Sequence, residues 1–312
     1  MLNYVLKRIL QAIPVFIGST LLIYALVFLM PGDPVRALFG DKPVSEATLT
    51  IIRTQYHLNE PFIIQYLYFL KGLFTFDLGV TFAGREIIDV IASVFPNTLM
   101  LGTLAFVFEV IIGVGLGIFV GLKRGSFADS FTMVSSLVLV SIPPLVLGYA
   151  LQFLFGIQLK VLPVTVGTHM DFLHLLMPSF VLATVSIATI IRLTRASISD
   201  VRGADFVRTA RAKGISEGLV IRRHIFRNSM IPVITYLGID LVALFSGAIL
   251  TEQIFNIQGV GNTLYKYILI GEAPAVVTIA TLFLILYIVS NIVIDCLYAA
   301  LDPRIRYGKE VA

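Results

Sequence analysis

Six stretches of this chain run for at least 20 residues with one charge or none, and that fact leaves few folds open. They are Ile9–Leu29, Thr98–Gly121, Phe131–Leu159, Phe172–Ile191, Asn228–Thr251 and Ala273–Ile294. About 20 mostly apolar residues cross a bilayer as a helix. In lipid only helices and closed barrels satisfy their backbone polar groups, and runs of this length are too long for barrel strands. The expected fold class is therefore all-α, a polytopic membrane protein with six transmembrane helices. Charged residues make up 13% of the chain, against about 25% in soluble proteins. That scarcity excludes a soluble globule, a disordered chain and a nucleic-acid binder. The first run is too long for a signal-peptide core, and Pro31-Gly32-Asp33-Pro34 follows it where a cleavage site would need small residues.

Six spans put both termini on one side. Of the 23 Lys and Arg residues, 16 fall on that side, nine of them in the single loop Arg192–Arg227. The positive-inside rule then places both termini in the cytoplasm of a plasma membrane, the inner one where a cell has two. Sorted this way, the net charge of +4 becomes +10 inside, −3 outside and −3 within the spans, from Glu109, Asp240 and Asp295.

Residues 30–97 form a long outer segment. Ser45 suits an N-cap, with Leu49, Ile52 and Tyr56 on one face of the helix that follows. Pro61 suits the first turn of a second helix, Phe62–Lys71. A third amphipathic stretch, Arg85–Ile91, leads to Pro96. The reading is a small helical cap on the outer surface. It serves as a dock for an external partner, as a gate or as a structural lid.

The cytoplasmic loop 192–227 is the most informative stretch. Asp205 reads as an N-cap, Phe206–Lys213 as a short helix and Gly214 as its C′ residue. Ser216 reads as the cap of a second short helix ending at His224. Thr209, Ala210 and Ala212 are small enough to let a partner surface approach, and Phe206 offers an apolar anchor. A self-capped helix of this kind suits a peg that carries motion from a soluble partner.

Motifs for chemistry in the chain itself are missing from the sequence. The only Gly-Lys pair, Gly308-Lys309, has Glu310 after it and Pro303 where a P-loop needs its first glycine. No catalytic residue, metal site or nucleotide site is expected, and a single cysteine forms no disulfide framework. His169, Asp171 and His174 read as interfacial residues. Glu109 and Asp240, within spans two and five, are candidate residues of a substrate pathway, with polar helix contacts as the rival reading. Gly113, Gly115 and Gly117 read as a packing face. Pro143-Pro144 should kink span three.

The loop also carries a family resemblance. Arg208-Thr209-Ala210-x3-Gly214, followed after nine residues by His224-Ile225-Phe226-Arg227, resembles the EAA loop of ABC-importer permeases, with Arg208 in place of Glu and Arg227 in place of Pro. The run Phe206 to Gly214 and His224 to Pro232 is similar to the peptide/nickel branch. So are Pro31-Gly32-Asp33-Pro34, Asp77-Leu78-Gly79, Leu122 to Gly125, Leu162-Pro163, Glu252-x2-Phe255-Asn256-x2-Gly259-x-Gly261 and Leu301 to Arg306. The resemblance implies a non-catalytic subunit, of type I importer fold, that pairs with a second, homologous permease in a membrane lipid environment. Asp205, Phe206, Arg208, Thr209, Ala210, Arg211, Ala212 and Gly214 would seat on one of two ABC ATPase subunits, which bind the ATP and Mg. An external binding protein would deliver a dipeptide, oligopeptide or glutathione-like substrate. Residues 1–29 hold the N-terminus and first span, 30–97 the outer segment, 98–301 the five-span core and 302–312 the tail. A nickel or metal-chelate importer, a proton-coupled carrier using Glu109 and Asp240, and an assembly subunit without a pathway are the alternatives.

Overall fold

The computed structural model describes residues 2–29, 34–37, 44–81 and 83–301. Residues 31–33 of the Pro-Gly-Asp-Pro motif, and the tail with Arg304, Arg306 and Lys309, lie outside them. The described residues are helical without a strand; two isolated bridges, Val80 to Glu86 and Gly167 to Ile257, are the extent of β pairing among them.

The first helix, α1 (Leu2–Phe28), is followed by the single turn α2 (Pro34–Ala37) and by α3 (Glu46–Gln55) and α4 (Phe62–Thr75). Ser45 caps α3 as expected, accepting from the Thr48 N–H. Pro61 stands at the N-cap of α4, and the helix runs four residues past its expected end. Aromatic side chains bind α4 to α1. Tyr24 meets Phe62, Tyr66 and Phe69, Phe16 meets Phe74, and the hydroxyls of Thr20 and Tyr66 lie 2.8 Å apart.

Helix α5 (Ile87–Leu122) is one continuous rod, so residues 87–91 of the expected stretch 85–91 are its first turn and not a separate surface helix. It contains a π-helical turn at Glu109–Val114. The third apolar run breaks into α6 (Phe127–Ser141) and α7 (Pro144–Gln158), bent by 98° at Ile142-Pro143. The proline pair does more than kink the span. Pro143 has no N–H to continue α6, and Pro144 opens a new helix at a position where no N–H is needed. Among the described residues five helices are long and apolar enough to cross a membrane, and six if this bent pair counts as one span.

Helix α8 (Phe172–Arg202) is the buried axis of the bundle. It extends eleven residues past the expected end of span four. Helix α5 lies directly on it. A Cβ on Gly113 would come within 2.8 Å of Ile190, one on Gly117 within 2.5 Å of Thr194, and one on Gly121 within 3.0 Å of Ile198. The packing face therefore has the spacing of four that one side of a helix requires. Gly115, expected in that face, touches nothing within 4 Å, and Gly121 takes its place.

Beyond α8 come the short helix α9 (Asp205–Ala212) and α10 (Glu217–Phe245). The expected second loop helix is no separate element. It runs through a π-helical turn, Ile221–Phe226, straight into span five. Ser216 holds the N-cap position without a side-chain capping bond. Two short helices, α11 (Ile249–Ile254) and α12 (Val260–Ile270), precede the last span, α13 (Ala273–Leu301). Helix α12 has no counterpart in the sequence reading. Many large apolar side chains stay exposed on the outer helices, Leu10, Leu22 and Leu26 among them, which is the surface a lipid-facing helix presents.

Candidate functional site

The basic end of the bundle carries the expected peg. Helix α9 begins at Asp205, but Ala204 is its N-cap. Asp205 is instead the first helical residue. Its side chain is almost fully exposed and pairs with Arg208 at 3.6 Å, and its charge faces the positive end of the helix dipole. At the other end Gly214 adopts φ +76°, and the Gly214 and Ile215 N–H groups donate to the Arg211 and Ala210 carbonyls. This closure is what the left-handed C′ residue provides.

The peg has two faces. Val207 and Ala210 are buried in one apolar cluster with Ile190 and Ile198 of α8 and Val220, Ile225, Met230 and Val233 of α10. Phe206, 46% exposed, together with Arg208, Thr209 and Ala212, faces outward. Ala210 therefore belongs to the inner face and not to the surface offered to a partner. Arg211 is turned to the following helix, where it donates to both carboxylate oxygens of Glu217 at 2.9 and 2.6 Å.

The same end is braced to its neighbours. Arg195 of α8 makes a paired contact with buried Asp129, with Nη2 to Oδ2 at 2.7 Å. Asp129 also accepts from the Gly125 N–H. Arg202 donates to the Leu122 carbonyl at 2.6 Å, and Arg124 donates to Ser199. The turn between α5 and α6 is thus tied to the same helix as the peg.

At the opposite end lies a site the sequence quoted as a motif without giving it a chemistry. Glu252 is fully buried. One carboxylate oxygen accepts from the Thr98 hydroxyl at 2.6 Å and the other from the Asn262 N–H at 2.8 Å. Thr98 in turn accepts from the Val260 N–H. Burial pushes the Glu252 carboxyl above its ordinary range, and these donors pull against that shift. Gly259 and Gly261 make room for it: a Cβ would stand 2.2 Å from the carboxyl on Gly259 and 3.1 Å from it on Gly261. Gln152 of α7 donates to the Ile254 and Val164 carbonyls, so the span-three region is tied in as well. The spacing of Glu252, Gly259 and Gly261 is the sequence signal for this hub.

His169, Asp171 and His174 meet one another at the start of α8. Asp171 caps α8 by accepting from the His174 N–H and also contacts the His174 ring at 2.8 Å, while His169 stacks on that ring. The His174 contact holds the Asp171 carboxyl below its usual range. Nearer the first span, a cavity of about 510 Å³ opens between α1, α4 and the start of α13, lined by Tyr24, Tyr56, His57, Tyr68, Lys71 and Asp77 among others.

Glu109 and Asp240, the two candidate pathway residues, are brought together and turned inward. Glu109 is 0% exposed and Asp240 8%. The Ser186 hydroxyl donates to Asp240 Oδ1 at 2.6 Å. Both lie inside the chain, among α5, α8 and α10, and not on an open surface.

Two family models match this chain. The binding-protein-dependent transport system inner membrane component covers residues 113–307, and the N-terminal component of the same systems covers residues 1–102. The chain belongs to this family. It is a permease subunit of an ABC importer. The permease is 36% identical to the glutathione transport system permease protein GsiC of Escherichia coli (strain K12), over 98% of its own length and 100% of that protein. Against the protein of that name from Salmonella typhimurium the identity is 35% over the same shares. Its fold matches the MetNI methionine ABC transporter in inward-facing conformations, with a TM-score of 0.56 at 19% identity, covering 69% of the permease and 97% of that chain. At that identity the likeness is one of fold. The peg, the α5–α8 glycine face from Gly113 onward and Glu252 lie in the matched segment 113–307, while Thr98 of the hub lies in the matched segment 1–102.

Proposed function

We propose that this permease imports peptides, glutathione-like ones included, and that α9 is the point where ATP energy enters it. Full-length identity to glutathione permeases carries the substrate class. The self-closed helix α9, with one face exposed and the other built into the core of spans four and five, supports the coupling role. The chain pairs with a second, homologous permease. Phe206, Arg208, Thr209 and Ala212 seat on one of two ATPase subunits, which bind the ATP and Mg. An external binding protein delivers the substrate. The basic end lies in the cytoplasm with both termini, and the Glu252 end faces out. This chain performs no catalysis.

Uptake of labelled glutathione, a dipeptide and nickel ion by the complete complex tests the substrate. Glutathione or dipeptide uptake that stops with an ATPase-dead partner is expected. Uptake that persists with the dead partner sinks the ATP-driven reading, and uptake of nickel alone sinks the peptide one.

A further inference from the structure

Glu109 and Asp240 present a problem of charge. Glu109 opens the π-helical turn of α5, a widened turn of a kind that often places functional groups. Neither of its carboxylate oxygens has a partner, and Oδ2 of Asp240 has none either. The two carboxyl groups lie within hydrogen-bonding reach of each other. Two ionised carboxylates hold only acceptor atoms, so at that range in a desolvated interior they repel. A buried charge must be paired or neutralised.

Among the described residues the surroundings supply no counter-charge. From α10 the site is faced by Asp240 and by Tyr236, whose hydroxyl lies near Ser186 and Thr189 of α8. Arg192, one turn further along α8, is exposed and donates toward Thr189. Arg195 is committed to Asp129. Helix α13, packed against α5 and α10, carries Tyr287, which is exposed. A metal ion would need more oxygens, and among the described residues no group of three acidic, histidine or cysteine ligands assembles.

We propose that Glu109 and Asp240 form a proton-binding site that clasps α5 to α10 in the middle of the bundle. Glu109 is the neutral acid and donates its hydroxyl hydrogen to Oδ2 of Asp240. Asp240 is the carboxylate, because its Oδ1 already accepts the Ser186 hydrogen bond. One proton taken from solution gives partners to one Glu109 oxygen and to Asp240 Oδ2, and it cancels one of the two charges. The site is independent of which substrate the importer carries.

The test uses the purified complete complex in lipid nanodiscs. Its infrared spectrum at neutral pH should contain a protonated-carboxyl stretching band that is lost in Glu109→Gln. Glu252→Gln should keep the band, which separates it from the other buried carboxyl. Asp240→Asn should shift its frequency. Glu109→Gln retains a donor toward Asp240 and should hold the thermal midpoint near that of the parent, whereas Glu109→Ala should lower it by several degrees. A band unaffected by Glu109→Gln and by Asp240→Asn overturns the proposal, and so does its absence from the parent complex at neutral pH. A midpoint in Glu109→Gln as low as in Glu109→Ala also overturns it. Should Glu109→Gln fail to assemble, the parent band and its shift in Asp240→Asn decide the matter.

Discussion

Glu252 shows at the scale of one residue how a buried acid becomes a fastening. It accepts from two elements, Thr98 on α5 and Asn262 on α12, and two glycines leave it the space. Its carboxyl is pushed above the ordinary range by burial. A group with a raised folded value holds its proton longer in the folded state than in the unfolded one. Its contribution to stability is thus greatest below the ordinary carboxylate range and declines as pH rises through the window up to the raised value. The thermal midpoint of the complex should decline over that window, and Glu252→Gln should flatten the decline. Glu252→Ala should cost about 1–3 kcal/mol for each buried donor left without an acceptor, read as a lowered midpoint at all pH values. Gly259→Ala should act like Glu252→Ala, since its Cβ would stand where the carboxyl is. The motif around Glu252 was legible in the sequence, but its chemistry was not. Thr98 lies 154 residues away, and no local pattern tells which distant hydroxyl a buried acid will meet. Glu109 and Asp240 were legible as anomalies for the same reason that their pairing was not: charge in a span stands out locally, but its partner is on another helix.

At the scale of elements, one glycine row separates close packing from coincidence. Gly117→Ala should force α5 off α8 and cost about 1–3 kcal/mol through overpacking, while Gly115→Ala, with open space around it, should leave the midpoint within about 0.5 kcal/mol of the parent. Parallel thermal unfolding of the two variants checks this. A second prediction concerns α9. Gly214 sits at φ +76° with nothing near its missing Cβ, so Gly214→Val meets backbone strain with no clash at Cβ. The expected result is a complex that still inserts but hydrolyses ATP without uptake, or loses its ATPase; normal ATPase binding with normal uptake would remove the peg from the mechanism. The peg's existence was readable from Gly214 and its small residues. Its cap fell one residue early, at Ala204, because Asp205 at the first helical position gains from the dipole without capping. The second loop helix is hidden as part of span five because the apolar count begins only at Asn228, and a basic stretch can continue a helix well outside the lipid. The break in span three was underestimated for a different reason. Two adjacent prolines first end one helix and then start another, which composition registers only as a kink.

At the scale of the whole molecule, six spans and a basic end predict a topology. In a background lacking Cys296, Phe206→Cys should react with an impermeant thiol reagent only in inside-out vesicles. Lys160→Cys, at the far end of α7, should react only in right-side-out ones. The reverse pattern would overturn the orientation and with it the reading of α9 as the ATPase dock. The overall bundle was legible because lipid imposes long apolar runs on any helix that crosses it. The outer segment was less so: α4 looked like a surface cap, yet its aromatic side chains bind it along α1. The inner face of α9 has a further consequence, best put as compliance. Val207 and Ala210 share one close-packed cluster with α8 and α10, and Arg211 pins the joint to Glu217. A load applied to the outer face meets no soft link in series before it reaches the membrane. Packing against two helices at once opposes rolling of α9 about its own axis. The stroke of the motor and the displacement of spans four and five would then have to be nearly the same length.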